Sequence, residues 1–206
     1  MRIRGIQADR RTLKTKKAIR MAFLALLGEK DVSRIGIKEL TDVAEISRKT
    51  FYAHYAGPVE ILGEIEDEVV ARLADELVVI ESEKEAINIC AVFEKLTRLI
   101  QEDFGLFERL LPSKSGTRLP EKIIAILKPR ILADLSGASR LDSGTLNRAA
   151  DFVAAGAMSV YLQWFGSDRT TPFKDIADTI GILAMDGMNR LTEGARLVVR
   201  GREPAC

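Results

Sequence analysis

Histidine, cysteine and tryptophan are scarce in this sequence, and the scarcity of histidine excludes several classes of enzyme. The 206 residues include one His, two Cys and one Trp. A Ser-His-Asp hydrolase would have to use the single histidine, His54, as its base, and His54 lies within a two-helix motif described below. A Gly-rich phosphate loop, an HExxH motif and paired metal-ligand spacings are all missing from the sequence. The chain is therefore not expected to be an enzyme, and neither a cofactor nor a metal is expected.

The sequence also has few cysteines and no long apolar run, and both features bear on whether the protein is secreted or inserted in a membrane. Cys90 and Cys206 are too few for a disulfide framework, and Cys90 is interpreted as a small buried hydrophobic residue. The basic N-terminus lacks the apolar stretch of a secretory signal. The most apolar run, residues 149–165, contains Asp151 and Gln163 and falls short of the roughly 20 residues that a membrane span requires. We expect a cytoplasmic protein that does not partner a membrane.

Sustained β-type alternation and internal repeats are absent, and apolar residues recur instead at helical spacing. Gly and Pro fall mainly between these patterns. The sequence therefore predicts an all-α fold of about nine helices. Their approximate ranges are 12–27, 37–43, 48–55, 58–80, 86–103, 104–111, 123–135, 143–166 and 172–195.

Three segments are predicted to be irregular. Residues 1–11 are short, basic and aperiodic, so a mobile arm is expected there, and residues 112–120 and 136–144 have the composition of loops. Pro129 is expected to kink its helix or to mark an uneven first half. Pro58, in contrast, suits the first turn of a new helix, where its missing N–H has no cost.

Charge is divided unevenly along the chain. Residues 1–60 contain 13 Lys and Arg against 7 Asp and Glu, whereas the remainder contains 18 against 23. This asymmetry predicts a polyanionic partner for the first part only. A basic cluster at the start of the first helix could be a solvated helix end or a set of phosphate contacts, and beside the motif described next we favour phosphate contacts. The cluster comprises Arg10, Arg11, Lys14, Lys16 and Lys17.

Residues 35–55, IGIKELTDVAEISRKTFYAHY, have the pattern of two short helices joined by a tight turn. Ser47 is the expected N-cap of the second helix. The inner face of that helix is assigned to Thr50, Phe51 and Tyr55. Basic and hydrogen-bonding side chains are left outside. A short helix of this kind, packed on a partner helix, is typical of the helix-turn-helix that enters the DNA major groove.

With Thr50-Phe51-Tyr52 followed by His54-Tyr55 after VAEISRK, the chain resembles the DNA-binding domain of TetR-family (tetracycline-repressor-like) regulators. The resemblance covers roughly residues 12–62. It implies a three-helix DNA-binding domain at 1–57, including the basic arm, and a larger helical regulatory and dimerisation domain at 58–206. The sequence departs from the family pattern at three positions. Glu45 replaces the usual turn Gly, Gly36 replaces a Thr, and Pro58 replaces a Lys.

Direct contact with DNA is expected mainly from the outer face of the second short helix. Arg48 and Lys49 suit guanine N7 and O6 or phosphate, and Thr50 and Tyr52 suit phosphate or a thymine methyl group. The resemblance places frequent backbone contacts at Tyr52 and His54, although Arg48 could be merely solvated and His54 a packing residue. The full candidate set is Arg10, Arg11, Lys14, Lys17, Lys38, Ser47, Arg48, Lys49, Thr50, Tyr52 and His54.

The resemblance also implies a dimer interface and a ligand cavity in the C-terminal domain. The apolar helix at 149–165, rich in small residues, and the last helix are the expected interface, unless both belong to an ordinary single-chain core. The candidate interface residues are Phe152, Gly156, Val160, Phe173, Ile176, Ile180, Leu183 and Met188. The candidate pocket residues, for which ordinary core packing is the alternative, are Phe93, Phe104, Phe107, Tyr161, Trp164 and Phe165.

Together these features predict a dimeric repressor that binds a near-palindromic DNA operator and is released by a small-molecule effector. The alternative is an all-α ligand-binding or protein-interaction module with weakened or lost DNA binding. Glu45, Gly36 and Pro58 are the residues that favour this alternative.

Overall fold

The computed structural model describes residues 2–82, 89–111, 117–138 and 141–200. Within these residues all regular structure is helical, as the sequence predicts. A short 3₁₀ helix, Val32–Arg34, follows the first α-helix. The described residues form nine α-helices, namely α1 (Arg2–Leu27), α2 (Ile37–Val43), α3 (Arg48–Tyr52), α4 (Pro58–Ser82), α5 (Ile89–Glu102), α6 (Phe104–Leu110), α7 (Leu119–Ala138), α8 (Ser143–Phe165) and α9 (Phe173–Arg200).

The chain divides into two compact units. The first unit comprises Met1–Glu68 and Gly105–Arg118, and the second comprises Val69–Phe104 and Leu119–Cys206. This division differs from the expected boundary after Gly57 in two respects. It assigns the start of α4 to the first unit, and it adds most of α6, together with the residues up to Arg118, to the same unit.

The first unit is organised around the apolar stripe of α1. Ile19, Phe23 and Leu27 lie on one helical face and are buried, and α1 packs against α2, which packs against α3. Leu40 of α2 is fully buried. α1 ends at Leu27, where the bonding pattern tightens: the Gly28 N–H still donates to the Leu24 carbonyl at 3.3 Å, but the Glu29 N–H donates to the Leu26 carbonyl at 3.0 Å, three residues back.

The second unit is built from longer helices that pack side by side. α7 packs against α8, α5 packs against α9, and α8 and α9 pack against each other. The buried stripe of α7 follows i, i+4 spacing through Ile123, Leu127, Ile131 and Leu135. α8 starts at Ser143 because the side chain of Asp142 accepts the Thr145 N–H at 3.0 Å, which caps the helix.

Several helices begin or end at residues other than those predicted. α1 begins at Arg2, so helical backbone replaces the aperiodic arm expected over residues 2–11, where the sequence has no Pro to interrupt an already nucleated helix. α3 ends at Tyr52 rather than near Tyr55. α9 begins one residue later than predicted and continues to Arg200.

The loop predictions around α7 also required correction. α7 begins at Leu119 with Pro120 in its first turn, where the missing N–H has no cost, and it extends to Ala138. Residues 112–116 and 139–140, which belong to the two predicted loops, lie outside the described residues. α7 continues through Pro129, with the fully buried Leu127 and Ile131 on either side of it.

Among the described residues, no helix combines the length and the apolar character needed to cross a membrane.

Candidate nucleic-acid interface

The turn between α2 and α3 has a defined hydrogen-bonded geometry. The Ile46 N–H donates to the Thr41 carbonyl at 3.0 Å, and the Glu45 N–H donates to the Asp42 carbonyl at 3.3 Å. These two bonds form a Schellman motif, which ends a helix with one residue in the left-handed region. That residue is Glu45, with φ of 52°. The turn therefore keeps the geometry that favours glycine while carrying a side chain there.

α3 is held at its start by its own side chains. The Ser47 hydroxyl accepts the Thr50 N–H at 3.0 Å, as the predicted N-cap requires, and it also shares a 2.8 Å hydrogen bond with the Thr50 hydroxyl. A helix of five residues has little stability of its own, so such local bonds matter. Ser47 and Thr50 thus hold the helix in place besides lining the candidate surface.

The two faces of α3 differ as predicted for Phe51, whereas Thr50, which was also predicted on the inner face, is only half-buried. Phe51 and Tyr55 are buried, at 0% and 2% exposure, with ring centroids 6.2 Å apart. On the other face Arg48 and Lys49 are exposed, and Tyr52 is 57% exposed. The helix therefore presents two cations and a phenol to the outside.

His54 and Lys38 lie at the margins of this surface. His54 follows α3 and is half-buried, whereas Lys38 is exposed in the first turn of α2. Gly36 is the N-cap of α2 and provides no side-chain hydrogen bond there. Pro58 opens α4, as predicted. The structure thus places the three departures from the family pattern at a helix start, a turn and a second helix start.

The basic cluster of α1 separates into two sets. Arg11, Lys14 and Lys17 are exposed, whereas Lys16 pairs with Glu64 at 2.8 Å and Arg20 pairs with Glu68 through two of its nitrogens. The side chain of Arg10 lies outside the described residues. The exposed set is available to a polyanion.

The candidate pocket residues do not come together as one cavity lining. Phe104, Tyr161, Trp164 and Phe165 form an aromatic cluster in the second unit, with Phe173 as a further member. The Tyr161 hydroxyl shares a 2.8 Å hydrogen bond with Thr97, and Trp164 Nε1 donates to the Thr171 carbonyl at 2.8 Å. These rings fill the space between one another.

The remaining two candidate pocket residues lie elsewhere. Phe107 is fully buried in the first unit, and Phe93 lines a groove between α5 and α9. This groove has a volume of about 710 Å³ and a mixed lining. Its apolar members include Phe93, Ile182 and Met185, and its charged members include Arg98, Lys174 and Asp178. These charged residues have no distinctive spacing along the chain, so no sequence pattern indicates them.

The candidate interface residues fall largely on one face of α8 and α9. An apolar groove of about 260 Å³ is lined by Phe152, Gly156, Val160, Ile180, Leu183 and Met188, together with neighbouring small residues. Phe152 is 78% exposed and Leu183 is 66% exposed, whereas Ile180 and Met188 are buried within the chain.

Two candidate interface residues lie elsewhere or are more covered. Phe173 belongs to the aromatic cluster, with its ring centroid 5.0 Å from that of Trp164, because the start of α9 brings it beside the end of α8. Ile176 is half-buried. Within a single chain, Phe152 and Gly156 of α8 are exposed.

Comparison with known proteins gives one curated relative and several structural neighbours. No protein-family profile matches the chain. An 80-residue segment is 39% identical to the uncharacterized HTH-type transcriptional regulator YxbF of Bacillus subtilis (strain 168). The match covers 38% of this chain and 21% of that protein, so the chain spans about a fifth of the relative's length.

The structural neighbours cover most of the chain at low sequence identity. A TetR transcriptional regulator of Streptococcus agalactiae 2603V has a TM-score of 0.65 at 18% identity, over 87% of this chain and 98% of that one. A TetR-family regulator of Streptomyces coelicolor has a TM-score of 0.61 at 17% identity, over 92% and 90%. The dihydroxyacetone kinase operon activator DhaS has 0.58 at 15%, over 85% and 96%. The chain therefore has the fold of TetR-type transcriptional regulators.

Proposed function

We propose that this protein is a sequence-specific DNA-binding transcriptional regulator of the TetR type, acting through α3 as its recognition helix. The observation that carries the proposal is the division of α3 into two faces. Its inner face is buried through Phe51, and its outer face exposes Arg48, Lys49 and Tyr52. A short helix fixed by a cap and a buried aromatic residue, with donors outside, suits entry into the major groove.

In this proposal some exposed residues contact base edges and so give sequence specificity, whereas others contact phosphates and so position the protein on the duplex. Arg48 and Lys49 contact guanine N7 and O6 or phosphate, and Tyr52 contacts phosphate or a thymine methyl group. His54 contacts phosphate at the margin of the surface. The exposed cations of α1 and α2 neutralise phosphates, which sets the register on the duplex and makes affinity depend on salt. These exposed cations are Arg11, Lys14, Lys17 and Lys38. Arg10, whose side chain lies outside the described residues, stays a contact predicted from the sequence.

The protein acts as a homodimer in this proposal, paired through the apolar face of α8 and α9. Phe152 and Leu183 are exposed on that face and line one continuous apolar groove, and contiguous exposed apolar surface marks an interaction site. A two-fold pair places two recognition helices about one DNA turn apart, roughly 34 Å, on a near-palindromic operator.

The regulator is a repressor, released from DNA when a small molecule binds the second unit. The α5–α9 groove is the proposed effector site, because the other predicted pocket residues of that unit fill one another's space. An apolar floor that includes Phe93 and a rim with Arg98 and Asp178 suit an amphipathic molecule with polar groups. Release requires only that the effector binds the non-binding conformation more tightly.

Selection of genomic fragments by the purified chain, followed by fluorescence titration at two salt concentrations, tests this function. The wild type is expected to bind a recovered fragment well above its non-specific level. Arg48→Ala combined with Tyr52→Ala should weaken binding roughly 100-fold, since each good base contact contributes about tenfold or more. Arg148→Ala, an exposed cation of α8, is the matched control and should bind as the wild type does.

The alternative function is an all-α ligand-binding or interaction module without DNA binding. The side chain on the left-handed Glu45 and the uncapped start of α2 at Gly36 favour it. It predicts that no fragment is recovered above non-specific level, while dimerisation and ligand binding persist. Recovery of a single specific site would reject it.

A further inference from the structure

Three side chains from distant parts of the first unit converge beside the end of α3. The Tyr55 hydroxyl donates to Glu64 Oε1 at 3.1 Å, and Lys16 Nζ donates to Glu64 Oε2 at 2.8 Å. Lys16 Nζ also lies 5.1 Å from the centroid of the Tyr55 ring. α1, α4 and the residues after α3 are thus joined at one point, which we call the Tyr55 lock (Lys16, Tyr55 and Glu64).

The protonation states suit these bonds. Partial burial opposes ionisation of Glu64, but the hydrogen bonds from Lys16 and Tyr55 outweigh it and hold the pKa of Glu64 below its usual value. Burial, with the hydrogen bond to Glu64 next in importance, raises the pKa of the Tyr55 phenol. The phenol therefore remains a donor and the carboxylate an acceptor throughout the neutral range.

The lock is connected directly to the recognition helix. Tyr55 lies three residues after the end of α3, and its N–H donates to the Phe51 carbonyl at 3.0 Å. The buried rings of Phe51 and Tyr55 determine how deeply the helix packs, but apolar contact is non-directional. The Tyr55 hydroxyl supplies a directional bond, which restricts how the helix can rotate or slide on that packing.

We propose that the Tyr55 lock is a positioning device that sets the orientation of α3 and so governs discrimination between operator and other DNA. This inference rests on the proposed DNA-binding function. Lys16 is a positioning residue rather than a phosphate contact, although it lies within the basic cluster of α1. Arg20 Nη1 lies 3.6 Å from Glu64 Oε1 and therefore also borders the lock. Its other partner, Glu68, joins the same two helices without a hydrogen bond to Lys16, Tyr55 or Glu64, which makes Glu68 the comparison site.

The test compares operator and non-specific binding of full-length Tyr55→Phe, Lys16→Met, Glu68→Gln and wild type across a salt series. Circular dichroism and urea unfolding establish that each variant is folded under the binding conditions. Tyr55→Phe and Lys16→Met should each bind the operator roughly tenfold more weakly, as expected for losing one charge-assisted hydrogen bond. Non-specific binding and its salt slope should stay at the wild-type values, and Glu68→Gln should retain wild-type discrimination.

Three results with the variants would each overturn the proposal for a different reason. Unchanged discrimination in Tyr55→Phe would show that the hydroxyl does not position the helix. An equal loss in Glu68→Gln would point to general loosening between α1 and α4. A salt slope reduced by about one in Lys16→Met would make Lys16 a phosphate contact. If the wild type itself recovers no specific fragment, the DNA-binding function fails and the lock proposal fails with it.

Discussion

The carboxylate of Glu66 accepts a 2.8 Å hydrogen bond from the hydroxyl of Thr117, 51 residues further along the chain. The same oxygen accepts the Arg118 N–H at 2.8 Å, and Glu66 is 2% exposed. Burial of a carboxylate is tolerated only with such partners. The pair therefore ties the segment before α7 to α4 within the first unit.

Replacing this carboxylate should destabilise the protein substantially. Glu66→Ala removes the carboxylate that accepts hydrogen bonds from the Thr117 hydroxyl and the Arg118 N–H, and a hydrogen bond to a charged group contributes about 1.5–3 kcal/mol, so we expect a loss of about 3 kcal/mol in the free energy of unfolding. Urea denaturation measures it. Glu68→Ala, on an exposed carboxylate of the same helix, should cost about 1 kcal/mol or less. Equal effects of the two substitutions would contradict the role given to Glu66.

The turn residue Glu45 should be a site of stabilisation. At φ of 52° a side chain costs roughly 1–2 kcal/mol, and glycine removes that cost while losing about 0.5–1 kcal/mol through the unfolded chain. Glu45→Gly is therefore expected to raise the free energy of unfolding by about 0.5–1 kcal/mol. Glu45→Ala retains the Cβ and should give no such gain. A destabilised glycine variant would count against backbone strain in this turn.

Acid should weaken the Tyr55 lock in a defined range. The pKa of Glu64 is lower in the folded chain than its ordinary 4.5, so folding favours the carboxylate. The resulting stabilisation is present above pH 4.5 and is lost as the pH falls through the lowered value. The difference in unfolding free energy between wild type and Glu64→Gln should be about 1 kcal/mol or less at pH 6 and smaller at pH 3. A difference that grows on acidification would refute this assignment.

Glutamate substitutions at two adjacent residues of α9 should distinguish a specific effect on dimerisation from the general effect of adding a surface charge. Leu183 is 66% exposed on the α8–α9 face, and Ile182 is 61% exposed in the α5–α9 groove. Leu183→Glu should place a charge in each copy of the proposed interface and yield monomer in size-exclusion chromatography with light scattering. Ile182→Glu should remain dimeric. A dimeric Leu183→Glu would exclude this face as the interface.

The helix-turn-helix could be predicted because its determinants are local. The limits of α2, the Ser47 cap and the inward placement of Phe51 depend on residues within a few positions of each other, and the structure has all three. The left-handed turn at Glu45 could also be anticipated, since the chain must reverse between two short helices. The helix ends were harder to predict, because a helix can continue beyond its apolar periodic pattern where tertiary packing supports the added residues.

The pairing of Lys16 with Glu64 could not be predicted from the basic cluster alone. The two residues are 48 positions apart, and Lys14 and Lys17 carry the same charge in the same helix. One signal was present, since Glu64 stands next to the buried Ile65 in the apolar stripe of α4. Other acidic residues of α4 hold the same kind of position, such as Glu76 beside the buried Leu77, so this signal does not say which cation reaches Glu64.

The sequence by itself determined the helical fold class, the helix-turn-helix and the cap and turn within it, because periodicity and capping act over a few residues. The tertiary structure alone decided which cations of α1 remain exposed, that Phe173 joins the aromatic cluster, and that residues 105–118 belong to the first unit. Those outcomes depend on which surfaces meet when distant helices pack. Contact between residues far apart in the chain is decided by the packing of the whole core.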